Sequence, residues 1–155
     1  MIKNFTTIAL VMLLLAGGCK RTESEKDDID RTSQETEKMA TAYTFLLNKM
    51  QEDNVTSIAS KDDENLSLIK NIIRTEGLKI EVENYNNIEE GPDLCHYSKS
   101  TKKLVAIIDV AKRNEKSYYI SYYIGPEGGA SKEILLEKRN GKWKVVNNDG
   151  MWIVK

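Results

Sequence analysis

The residues able to do chemistry are sparse in this chain. Two cysteines, Cys19 and Cys95, and one histidine, His96, are its only thiols and its only imidazole. A structural zinc site wants four Cys or His ligands and a catalytic one wants three, so no metal is expected, and no motif calls for a cofactor. Cys95 and His96 are adjacent, and strand neighbours point to opposite faces, which keeps them from forming a nucleophile–base pair. In a loop that restriction eases. The stretch "GPEGG", Gly125 to Gly129, lacks the lysine and hydroxyl residue that follow the last glycine of a phosphate loop. It reads instead as a strand-to-strand turn with backbone positions suited to glycine. Asp62, Asp63 and Glu64 lack the spacing of a calcium loop and suit a helix N-terminus, where the backbone's partial positive charge favours carboxylates.

Asp109 and the tyrosines keep a functional reading. Asp109 interrupts the apolar strand "LVAIIDV", in which its same-face neighbours Val105 and Ile107 are apolar. As the one acid on an otherwise apolar strand face it is a candidate pocket acid. The alternative is that the strand leaves the core there and the carboxylate meets water. In "SYYISYYIG", Tyr119, Ser121 and Tyr123 share one face, while Tyr118, Ile120, Tyr122 and Ile124 share the other. Whichever face turns inward, at least two tyrosines lie outside the main core. Tyrosine is enriched at interaction hot spots, which makes Tyr119 and Tyr123 candidate partner contacts. Packing against cross-strand neighbours is the plainer reading.

Cys19 follows nine apolar residues, Ile8 to Ala16, and a pair of glycines, with Lys3 ahead of the run. A basic start, a short apolar stretch and a small-residue end make an export signal, too short for a membrane span of about 20 residues. The segment ending in "LAGGC" resembles a bacterial lipoprotein signal peptide, although Leu15 stands one position further from the cysteine than that pattern usually has it. The resemblance implies a signal over residues 1–18, lipid on Cys19, and a domain held to a membrane by acyl chains, of which two or more suffice as an anchor. Ordinary secretory cleavage before Cys19 is the other reading, and it would leave Cys19 free to pair with Cys95 in an oxidising compartment. The following "CKRTESEKDDIDRTSQ" mixes both charges around a single strongly apolar residue, Ile29, and is expected to be a disordered tether over 19–34. Its acidic run resembles the sorting tags of surface lipoproteins in some Gram-negative bacteria, so the expected place is the cell envelope, periplasm-facing or surface-exposed.

Residues 35–155 are a normal size for one domain with one core. Met39, Tyr43, Leu46, Leu47 and Met50 form one stripe of a helix over Glu35–Gln51. A second helix is expected over Asp63–Thr75, with Leu66, Ile69, Ile72 and Ile73 inward and Gly77 as its stop. The intervening "EDNVTSIASKD" reads as a loop. From Leu78 onward the period becomes two, and several strands follow, the last pair joined at Asn140-Gly141, a strong hairpin signal. The predicted class is α+β, with N-terminal amphipathic helices packed on one side of a curved antiparallel sheet. That order of elements, closing in "GKWKVV", resembles the NTF2-like or cystatin-like folds, and Trp143 and Trp152 are expected to pack in or over the core's end.

With 23 basic against 24 acidic residues, the charge is near neutral and gives no footprint for nucleic acid. The expected function is a membrane-anchored, non-catalytic module that binds a protein partner. The NTF2-like resemblance implies one version, a toxin-neutralising immunity lipoprotein. The alternative is a small-ligand or enzymatic pocket with Asp109 as its polar anchor.

Overall fold

A computed structural model describes residues 23–126, 128–147 and 152–154. The chain divides into two compact units, Met1–Gln34 and Glu35–Lys155, and among the described residues every strand belongs to the second. Cys19 and the expected signal lie outside the described residues.

Helix α1 spans Glu23–Glu52, so it starts inside the segment expected to be a disordered tether. The physical reason is propagation. Once a helix is nucleated, each further residue adds a hydrogen bond for little cost, and Glu, Lys, Arg and Gln favour helix while fully solvated. A charged composition signals that nothing need be buried, and a solvated helix meets that condition as well as a coil does. Within the domain the expected stripe faces the core: Tyr43, Leu46, Leu47 and Met50 are fully buried.

A 3-10 turn over Asp63–Asn65 leads into helix α2, Leu66–Glu76. The Asp62 carboxylate caps the turn by accepting from the Glu64 N–H at 3.0 Å. Gly77 ends α2 in the left-handed region at φ +66°, where a side chain would be strained. Ile69 and Ile72 turn into the core.

The strands are β1 (Ser57–Ser60), β2 (Glu81–Asn84), β3 (Ile88–Glu90), β4 (His96–Ser98), β5 (Ala106–Lys112), β6 (Ser117–Gly125), β7 (Gly128–Arg139), β8 (Lys142–Val145) and β9 (Ile153–Val154). The main sheet runs β2-β1-β5-β6-β7-β8, with β9 also on β7, and β3-β4 form a separate hairpin. The class is α+β, two helices on a curled sheet, but the sheet is mixed rather than antiparallel, because β1 pairs in parallel with both β2 and β5. The segment expected to be a loop supplies β1. Its "SIAS" carries one large apolar residue, too little for a periodicity signal. All four residues are buried, as suits a strand flanked on both edges and covered on both faces.

The antiparallel part follows expectation more closely. β7 and β8 meet with Arg139 opposite Lys142, and both linking residues have positive φ, Asn140 at +53° and Gly141 at +78°. That is the turn whose twist matches a hairpin. "GPEGG" is the β6–β7 connection, where Gly125 pairs with Gly128.

The core lies between the helices and one face of the sheet. Ile58, Ile108, Tyr118, Ile120, Ile134 and Leu136 pack there against α1 and α2. Across the sheet a smaller cluster joins Ala59, Val105 and Ile107 to Tyr85 and Ile88, the last on β3. Trp143 is half-buried against the main core with the Lys38 ammonium 4.9 Å above its ring, and Trp152 stacks on Phe45 at 6.1 Å.

Candidate recognition face

β6 sorts its side chains by parity. Tyr118 and Ile120 are fully buried on the helix side and Tyr122 nearly so, while Tyr119, Ser121 and Tyr123 lie on the other face, outside the main core, with Tyr123 37% exposed. The inward tyrosines are tied down. Tyr118 donates to Glu35 at 3.3 Å and Tyr122 donates to Asp53, the residue just past α1. Burial, followed by these carboxylates, raises both phenols far above the ordinary range, so both remain neutral donors.

Strand β5 places Asp109 on the outer face, in line with Val105 and Ile107. Asp109 faces away from the main core, because Ile108 takes the core position beside it. The β3–β4 hairpin covers Val105 and Ile107 and stops short of Asp109, which is exposed.

The last β1 pairing places Ser60 beside Ile108, so β5 runs on past the end of its neighbour. A cavity of about 440 Å³ opens there, with Ser60, Asp62, His96, Asp109, Ser121 and Tyr123 among its lining residues. The carboxyl end of a strand between two parallel partners is where crevices form in sheets of this kind, and the volume lies in the range of ligand sites. Tyr43 reaches the cavity from α1. Its phenol is pushed up to about 12, first by burial and then by the charges of Asp62 and Asp109. It is a hydroxyl donor at any physiological pH.

His96 and Tyr123 brace each other across this opening. The rings meet edge to face at 5.3 Å and 75°, and His96 Nδ1 lies 3.3 Å from the Ile124 carbonyl, an acceptor for an Nδ1 proton. Cys95 does not join them. It packs against Gly125, where an added Cβ would come within 2.5 Å of its Sγ, and burial and the Asp93 carboxylate push its thiol up, away from the nucleophilic thiolate. That close approach, rather than a positive φ, is why glycine stands at 125.

A smaller groove of about 200 Å³ adjoins the cavity, lined by Tyr119, Ser121, Tyr123, Gly129 and Ser131 among others. Ser121 and Tyr123 belong to both concavities. The two candidate sites read separately from the sequence, Asp109 and the Tyr119/Tyr123 pair, therefore lie on one face. The Arg113 guanidinium stacks 5.0 Å from the Tyr119 ring and helps fix its orientation. Sequence reasoning missed Ser60, Ser121, Ser131 and the position of His96, because strand register, which brings them together, is not written in any local pattern.

Among the described residues no group of three or more His, Cys, Asp or Glu is placed to hold a metal ion, and no helix is long and apolar enough to cross a membrane. No protein family, curated protein or solved structure matches the chain.

Proposed function

We propose that this chain is a lipid-anchored, non-catalytic binding module of the bacterial cell envelope, and that it recognises its partner through the outer sheet face carrying Asp109, Tyr119 and Tyr123. The observation that carries the reading is the shared face. Two braced tyrosines stand on either side of Ser121, the residue opposite Asp109, and Tyr123 and Asp109 both line the open cavity, while the nearby thiol of Cys95 is held against activation. Open concavity, aromatic walls and a few convergent polar groups are the usual makings of a recognition site. The NTF2-like relationship is kept as a proposal at the level of architecture, since helices on a curled sheet are common to both. The anchor rests on the "LAGGC" segment and on the arithmetic of lipid chains.

Two measurements test it. The mass of the Cys19 peptide from exported protein should carry diacylglycerol; an unmodified cysteine, or a disulfide to Cys95, overturns the anchor. A photo-crosslinking residue placed at Tyr123 in exporting cells should give a discrete adduct, and the same residue at exposed Lys142 should not. Equal adducts at both positions, or none at Tyr123, overturn the recognition face.

A further inference from the structure

The ladder between β5, β6, β7 and β9 places Asp109 opposite Ser121, Ser121 opposite Ser131, and Ser131 opposite Ile153. A row of carboxylate, hydroxyl and hydroxyl thus crosses three strands on the outer face. Strands lie about 4.8 Å apart, so the polar part of the row spans about 10 Å. Tyr119 stands on one side of it and Tyr123 on the other, two residues along β6 from Ser121 in each direction.

The row is short of partners. Ser131 is 5% exposed, and its Oγ, like those of Ser57 and Ser117 and the Trp143 indole nitrogen, is buried with no hydrogen-bond partner among the described residues; of these four residues Ser131 is the one that lines the groove. A buried hydroxyl left without a partner opposes folding, and on the groove wall it calls for a partner from outside the chain. Gly129 also lines the groove, where a Cβ would meet the Tyr122 carbonyl oxygen at 2.6 Å.

The geometry points to a neutral oligosaccharide, two or three sugar rings long, lying across the strands along Asp109, Ser121 and Ser131. This rests on the recognition-face reading above and names its ligand class. A carboxylate accepts from two neighbouring sugar hydroxyls at once, serine hydroxyls both donate and accept, and aromatic rings offer flat apolar surface with a polar tip to the C–H faces of the sugars. A point cation such as an arginine side chain is the rival, drawn by Asp62 and Asp109. It needs acceptors that converge, whereas here the groups are strung over about 10 Å and two of the three are neutral hydroxyls.

The test is saturation-transfer difference NMR on the full chain in phosphocholine micelles, with cellotriose, maltotriose and chitotriose as probes and N-acetylarginine amide as the cationic rival. At least one trisaccharide should receive transfer at its ring C–H protons and bind at least tenfold more tightly than its monosaccharide. Asp109→Asn and Tyr123→Ala, both at exposed positions, should weaken it tenfold or more while the protein stays folded with at most a small fall in thermal midpoint, and Ser131→Ala should weaken it about threefold. Absence of transfer to all three trisaccharides overturns the inference. Binding of arginine amide alone, abolished by Asp109→Asn, also overturns it while leaving the recognition face standing. Saccharide binding that ignores all three substitutions overturns both.

Discussion

The two faces of strands β5, β6 and β7 are built from the same backbone and differ in everything else. On the helix side, Tyr118, Ile120, Tyr122, Ile134 and Leu136 are buried in one core, and the tyrosine hydroxyls end on carboxylates of α1 or just beyond it. On the outer side, Tyr119 meets the Arg113 guanidinium and Tyr123 the His96 ring, and Ser131 keeps a hydroxyl with no partner among the described residues. The inner face has its tyrosine hydroxyls paired; the outer face leaves a serine hydroxyl unpaired beside a groove. On the proposed reading, stability and recognition are separated by residue parity along a single strand, so that either can be altered without the other.

The largest effect that should expose this separation is truncation on the inner face. Ile120→Ala removes a fully buried side chain and should cost about 3 kcal/mol, within the usual range for such cavities. Tyr123→Ala on the outer face should cost less than about 1 kcal/mol, with the loss falling on binding. Urea unfolding of the two variants measures the contrast, and similar costs would abolish it.

Gly125→Ala is the next largest, because it strikes where the β3–β4 hairpin meets the turn of the main sheet. The added methyl meets Cys95 Sγ at 2.5 Å and Cys95 Cα at 3.1 Å, an overpacking expected to cost about 1–3 kcal/mol. Adding Cys95→Ala removes the sulfur but leaves the backbone contact, so the double variant should recover part of the loss. A double-mutant cycle reads the coupling, and strictly additive costs would show that the two residues do not touch.

A smaller effect is expected at the start of the domain. Glu35 lies between Lys112 at 2.9 Å and Lys38 at 2.7 Å, and hydrogen bonds from these two lysines, Lys112 first, lower its carboxyl to about 2. A carboxyl lowered on folding stabilises above its unfolded value near 4.5, and that contribution fades as pH falls toward 2. With solvent screening allowed for, the share is about 0.5–1 kcal/mol. Glu35→Gln should reduce stability at pH 7 by this amount and flatten its decline between pH 4.5 and 2. An unchanged acid limb would show that the lysines do not hold the carboxyl.

How much of this was legible in the sequence follows from the range of the forces involved. α2, its Gly77 stop and the Asn140-Gly141 hairpin are local, set by periodicity and by backbone conformations few residues accept, and they stand close to where the residues put them. Parity on β6 is also local, so Tyr119 and Tyr123 could be placed outside the main core. The strand β1 could not, since "SIAS" is a strand only because β2 and β5 flank it. The polar row is harder still. Asp109, Ser121 and Ser131 are aligned by two registers that depend on the whole sheet, and serine in a strand gives no sign of what stands opposite it. The helical run from Glu23 shows a different limit, because composition reports solvation and is silent on whether the solvated backbone is coiled or helical.

The smallest predicted change in stability sharpens the comparison most. If the outer face is arranged for a ligand and the inner face for the fold, removing an outer polar group should not weaken the fold at all. Ser131→Ala deletes a hydroxyl that has no described partner, so the protein should be unchanged or more stable by up to about 1 kcal/mol, since burying an unmade hydrogen bond opposes folding. The equilibrium midpoint in urea, at constant slope, measures it. A loss above about 1 kcal/mol would mean that the hydroxyl is bonded within the fold, and the serine would then belong to the sheet's stability. A gain, paired with weaker ligand binding, would identify Ser131 as a residue that the fold tolerates and the site requires, the signature expected where a recognition surface is maintained against the preference of the protein interior.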